Sequence, residues 1–140
     1  MTQTVSFYTH ISDIPLFICR LLRTVYDKRT DIAVRCATAE QYRWLDQQLW
    51  AFESNSFLAH ERWANNNRTT APIVLFSPND DFAQCRIATV LNLSSQSCLA
   101  PHWTRVLEIV GADETALTLA RQSFRRYKDA GFIIDHKKMQ

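Results

Sequence analysis

The chain has 140 residues, 46% of them hydrophobic, with 16 lysines and arginines against 14 acidic residues, a composition that suits one globular domain over residues 1–140. A chain of this length buries roughly two thirds of its unfolded surface, so its core needs no disulfide, metal or cofactor to form. A formal net charge of +2 excludes wholesale attraction to phosphate backbones, and two glycines, Gly111 and Gly131, exclude the G-x-G-x-x-G and Walker A phosphate loops.

Residues 5–8 form a short β-rich run, and Ser12-Asp13 then caps a helical pattern over 15–26 carrying Leu16, Cys19, Leu22 and Val25. Residues 32–36 repeat the strand signal, and Thr38-Ala39-Glu40-Gln41 matches a capping box that opens a helix to about Phe52. After an irregular stretch over 54–71, read as a surface excursion, three apolar strands are expected at 72–76, 87–93 and 106–110. Asp113 and Glu114 open a last helix that runs to about Ala130. Strands alternating with helices predict an α/β fold: a three-layer α/β/α domain with a mainly parallel central sheet, Rossmann-like but lacking a glycine-rich nucleotide loop.

The four cysteines are widely spaced, with no C-x-x-C pair, so zinc and thioredoxin-type chemistry is disfavoured. The chain opens Met1-Thr2-Gln3-Thr4 and enters a strand with no basic or apolar leader, the pattern expected of a cytoplasmic protein with reduced thiols. No phosphate loop, nucleophile or carboxylate pair accompanies His10, which follows the first strand. His60, His102 and His136 lack ligand spacing, and Asp80-Asp81 after Ser77-Pro78-Asn79 reads as a turn and helix cap. No cofactor, metal or catalytic residue is expected.

Two helices carry apolar residues outside their expected core stripes. In the second, Tyr42, Leu45, Leu49 and Phe52 share one arc while Trp44 and Trp50 fall off it, and Phe57 and Leu58 follow closely enough to join Trp50 in an apolar patch. In the last, Ala116, Leu119, Ala120, Ser123, Tyr127 and Ala130 form a stripe, which leaves Leu117 and Phe124 on the arc of Arg121, Arg125 and Lys128. Residues 115–138 hold six lysines and arginines against two acids, a basic rim around an apolar centre. A solvated basic helix face would account for the charges alone. The exposed aromatic points instead to a ligand both acidic and hydrophobic, such as an acidic peptide ending in apolar residues and a free carboxylate.

Leu45-Asp46-Gln47-Gln48-Leu49-Trp50-Ala51 followed by Ser56-Phe57-Leu58-Ala59-His60 resembles the L-D-x-x-L-W-x and S-F-x-x-H segments of the chi subunit family of bacterial DNA polymerase III holoenzyme. Ala120-Arg121-Gln122-Ser123-Phe124-Arg125-Arg126-Tyr127-Lys128-Asp129-Ala130-Gly131-Phe132 is similar to that family's closing helix, A-R-x-x-Y-K-x-Y-x-x-A-G-F, and Ser6-Phe7-Tyr8 is compatible with its opening. The resemblance implies a non-catalytic α/β protein that, with a partner called psi, attaches the clamp loader to single-stranded DNA-binding protein. It implies that Arg121, Phe124 and Arg125, assisted by Lys128, receive that protein's acidic, phenylalanine-terminated tail. Leu117 stands where the family has a lysine, and the expected consequence is weaker salt-dependent attraction. Trp50 and Phe57 match the residues that engage psi, a surface for which helicase-related proteins can compete. Direct single-stranded nucleic-acid binding is the alternative, and an enzyme of unknown chemistry is a more distant one.

Overall fold

The computed structural model describes residues 2–51, 60–63 and 71–139. Among these residues seven strands and three α-helices follow in the order β1 (Thr4–Ile11), α1 (Ile14–Asp27), β2 (Ile32–Arg35), α2 (Ala39–Ala51), β3 (His60–Arg62), β4 (Ile73–Phe76), β5 (Thr89–Asn92), β6 (Arg105–Gly111), α3 (Glu114–Asp129) and β7 (Ile133–Lys138), with a 3-10 turn at Phe82–Gln84 before β5. Each helix starts where the sequence offers an acceptor. Asp13 receives the Leu16 N–H at 3.1 Å, and Asp113 receives the Ala116 N–H at 2.8 Å. At α2 the Thr38 hydroxyl accepts from Gln41 N at 3.0 Å, while the Gln41 side chain reaches back to Ala37 N at 2.8 Å.

The strands lie in one sheet, ordered β3-β4-β2-β5-β6-β1-β7, with every pairing parallel. Alternation along the strands sorts the core into two clusters. Ile32, Val34, Ile73, Leu75, Leu91 and Leu107 face Ile18 and Leu22 of α1 and Leu45 and Leu49 of α2. Ala33, Val74, Phe76, Val90 and Val106 point the other way, towards Trp103, Tyr127 and Phe132. Burial on both faces explains why these strands are continuous apolar runs.

The direction of travel decides which helix covers which face. From β1 through β2 to β3 the chain steps one way across the sheet, and from β4 to β7 it steps back. Right-handed crossovers then put α1 and α2 on one face and α3 on the other. Among the described residues no helix is long and apolar enough to cross a membrane.

Several expectations are corrected. The stretch over 54–71 contains strand β3, which pairs with β4 as a short, mostly polar edge and so carries little apolar signal. The last helix is followed by an unexpected strand, β7, which carries Lys137 and Lys138, so these two counted members of the basic rim lie on the opposite edge of the sheet and do not line the cleft beside α3. The strand expected at 87–93 is pared to Thr89–Asn92. Leu119, assigned to the core stripe of α3, is 55% exposed, and Ala130 is exposed too. Leu117 packs with Ala116 and Ala120 against the second cluster. Trp44 packs against the first cluster under α2. Phe52 lies outside the described residues.

Gly131 ends α3 at φ 90°, a left-handed conformation that a side chain would strain. Around it Phe132 N donates to Tyr127 O at 3.0 Å and Gly131 N to Lys128 O at 3.1 Å, the two bonds of a Schellman cap. The Tyr127 and Phe132 rings close the motif with centroids 5.0 Å apart. Ala130-Gly131-Phe132 is therefore a chain reversal that aims β7 back along β1.

Candidate functional site

A cleft of about 720 Å³ lies between α3 and the strands β1 and β7. Leu117, Arg121, Phe124, Arg125 and Lys128 line its helical wall, so all five residues read from the sequence as a ligand face meet in one depression. Phe7, Thr9, His10 and His136 complete it from the strands. Phe124 is 42% exposed, and its ring leans on Phe7 at 6.1 Å between centroids. Phe7 in turn meets Tyr127 edge-on at 5.9 Å, which ties the exposed ring to the core.

The cations around this ring are uncommitted. Among the described residues, the Arg121, Arg125 and Lys128 side chains have no ion pair or hydrogen bond. Asp129 is the one acid on the wall. A wall of unpaired cations around a half-exposed aromatic can take an anionic group and an apolar side chain together. Leu117 contributes apolar surface to the same wall as Phe124.

Beneath α3 the sheet buries an acid. Tyr127 donates from its hydroxyl to Glu108 Oε2 at 2.6 Å and accepts from Cys98 N at 2.9 Å, while Asn92 Nδ2 donates to the same carboxylate oxygen at 2.8 Å. Burial pushes the Glu108 carboxyl up to about 7, against the pull of the Tyr127 and Asn92 hydrogen bonds and the Arg35 charge. Burial and the adjacent Glu108 push the Tyr127 hydroxyl strongly up. This network, unread from the sequence, fixes Tyr127 and through it the seat of Phe124. A glutamate in the middle of the apolar run over 106–110 was the available signal.

On the other face, the two segments resembling the family's L-D and S-F-x-x-H motifs are joined. Asp46 of α2 bonds to His60 Nε2 of β3 at 2.8 Å and accepts from Arg62 at 2.6 Å. Burial pushes Asp46 up, but the hydrogen bonds from Arg62 and His60 outweigh it and hold the carboxyl below its usual range. Asp46→Asn is expected to cost about 1–2 kcal/mol in chemical denaturation at neutral pH, because Arg62 and the nearly fully buried His60 then meet a neutral amide in place of a carboxylate. A depressed carboxyl stabilises the fold above its unfolded value, so this deficit shrinks as the pH falls below 3.8. Trp50 is in the last turn of α2, its side chain outside the described residues, and Phe57 lies outside them altogether.

The remaining sequence candidates have structural roles. Asp80 accepts from Ser77 N at 2.8 Å, and Asp81 caps the 3-10 turn. All four cysteines are buried free thiols, and burial pushes Cys19 up to about 11 and Cys36 and Cys98 up to about 12. His102 packs on Trp103 with ring centroids 4.2 Å apart. No cluster of three or more metal-ligating side chains occurs among the described residues.

Comparison with known proteins agrees with the motifs. The chain is 24% identical over 125 residues to DNA polymerase III subunit chi of Escherichia coli (strain K12), covering 89% of this chain and 85% of that one. It is 25% identical over 120 residues to DNA polymerase III subunit chi of Pseudomonas aeruginosa, covering 85% and 82%. The sequence model of the family described as DNA polymerase III chi subunit, HolC, matches residues 1–135, and the chain belongs to that family.

Proposed function

We propose that the protein is a non-catalytic accessory subunit of the replicative DNA polymerase III holoenzyme. In this reading it bridges the clamp loader, through psi, to the C-terminal tail of single-stranded DNA-binding protein. The observation that carries the reading is the α3 cleft: three uncommitted cations surround a half-exposed phenylalanine in a chain of the chi family. An acidic tail ending in phenylalanine and a free carboxylate complements both halves of that surface. Leu117, Arg121, Phe124, Arg125 and Lys128 are the tail-binding residues. The protein works in the cytoplasm, meets DNA only indirectly and needs neither cofactor nor membrane.

Trp50 and Phe57 are the residues proposed to engage psi, with a helicase able to compete for the same surface. Two well-separated sites are what a bridge requires. Fluorescence-polarisation titration with a labelled peptide copying the tail tests the first site: saturable micromolar binding supports the reading, and no binding at low salt sinks it. Tight binding of a single-stranded oligonucleotide instead, without sequence preference, would favour direct nucleic-acid binding. For the second site, the Trp50→Ala and Phe57→Ala variants are expected to lose co-purification with psi while still binding the tail peptide. Loss of both interactions together would indicate misfolding in place of a separate surface.

A further inference from the structure

On the strand side of the same cleft, the buried Thr9 hydroxyl sits between two imidazoles, 2.8 Å from His10 Nδ1 and 2.7 Å from His136 Nε2. His136 belongs to β7 and His10 to β1, so 126 positions of sequence separate two rings that share one hydroxyl. The first contact requires an irregular backbone. Neighbouring side chains on a regular strand point to opposite faces, yet Thr9 and His10 meet because His10 adopts φ 63°. The β1–β6 register shifts at the same place, between Tyr8 and Ile11. A left-handed histidine is strained, and strain of this kind collects at functional positions.

The hydrogen count of the triplet has a definite consequence. A hydroxyl has one proton to give, so Thr9 donates to one ring nitrogen and accepts from an N–H of the other ring. With both rings neutral, their two far nitrogens are then one donor and one bare acceptor. Adding a single proton turns the bare nitrogen into a donor while both bonds to Thr9 persist. The triplet thus changes from a donor and acceptor pair to a pair of donors with one positive charge, without breaking a hydrogen bond.

We propose that His10, Thr9 and His136 form a proton-loaded contact for the carboxylate of the cleft's ligand, so that ligand binding takes up a proton near neutral pH. This inference rests on the reading of the cleft as a receptor for an acidic peptide. The surrounding charges act in both directions. Arg121, Arg125 and Lys128 from α3, and Lys138 two residues beyond His136 on β7, repel an added proton. Asp129 on α3 favours it, and His10 also borders the groove on the other face of the sheet, lined by Asp13, Arg105 and Lys137. An anion that neutralises the arginines removes that repulsion, so the complex holds the added proton more strongly than the protein alone.

The full chain would be titrated with a fluorescein-labelled acidic peptide ending in phenylalanine and a free carboxylate, at constant ionic strength between about pH 6 and pH 8. Peptide carboxylates and protein arginines do not titrate in that window, and the buried Glu108 carboxyl, pushed up to about 7, is separated out by repeating the titration on Glu108→Gln. The dissociation constant is expected to fall by about three- to tenfold towards the acid end. Calorimetry in two buffers of different ionisation heat at neutral pH should report uptake of a fraction of a proton by the unmodified protein, a readout independent of any variant's folding. His10→Asn, which keeps a residue tolerant of positive φ, combined with His136→Gln, should give a flat pH profile. A pH-independent constant without proton uptake in the unmodified protein overturns the proposal, as does a slope that survives in the double variant. Failure of the peptide to bind at any pH, or binding indifferent to Arg121→Ala, overturns the reading of the cleft itself and the proton contact with it.

Discussion

Arg121→Ala and Phe124→Ala are each expected to weaken tail-peptide binding about tenfold or more, and the double variant to abolish it at micromolar protein. Each substitution removes a different half of the recognition. Arg121 has no partner of its own to lose among the described residues, so its removal costs the ligand interaction without leaving an orphaned group in the free protein. A charge-assisted hydrogen bond is worth about 1.5–3 kcal/mol before solvent screening, and tenfold in affinity corresponds to about 1.4 kcal/mol. Phe124 leans on Phe7 with nearly half its surface open, so alanine removes the apolar seat but disturbs the core little. The two losses should separate on a salt axis. Added salt weakens the Phe124→Ala variant as steeply as the unmodified protein, whereas the Arg121→Ala variant responds less. Equal salt dependence of the two would mean that the arginine does not meet the ligand's charge. Fluorescence polarisation at two ionic strengths decides it.

The second large effect concerns stability. Glu108 binds its proton more tightly folded than unfolded, because its carboxyl moves from 4.5 to about 7 on burial. Its stabilising contribution is therefore full below pH 4.5 and is lost as the pH rises through 7. Over that interval the loss is on the order of 3 kcal/mol, a large share of a small domain's stability. Glu108→Gln keeps an acceptor for the Tyr127 hydroxyl and Asn92 but cannot ionise. It should flatten this part of the profile and exceed the unmodified protein in denaturation midpoint at about pH 8. Urea denaturation at a series of pH values measures it, and an unchanged slope in the variant would place the titration elsewhere. The Asp46 effect does not interfere, since it operates below 3.8 and has the opposite sign.

What could be read from the sequence followed the strength of the apolar signal. The strands over 72–76 and 106–110 are nearly continuous hydrophobic runs buried on both faces, and the three helices carry their caps in the sequence. Strands β3 and β7 escaped because edge strands need little apolar content: Ile133-Ile134-Asp135-His136-Lys137-Lys138 pairs only with β1 and is mostly exposed. The helical wall of the cleft was legible because one helix carries all of it at regular spacing. Its strand wall was not, since Thr9, His10 and His136 come together only through the β1–β7 register, and no local pattern announces a shared hydroxyl. Leu119 was misassigned for a related reason, as a helical wheel fixes which residues share an arc but not how the helix is rolled on its sheet.

The sorting of core side chains into two clusters bears on how two ligands would communicate. α2 packs on one cluster and α3 on the other, and among the described residues no core side chain belongs to both, so apart from His10 at the sheet's end the faces share only the backbone of the sheet. Energetic coupling travels through packed groups with alternative arrangements, and a close-packed parallel sheet offers few. Binding at α2 and binding at α3 would then have independent free energies, their coupling constant close to one. A bridge built this way would transmit position and not information, raising the effective concentration of whatever it tethered and leaving each grip as strong as it is alone.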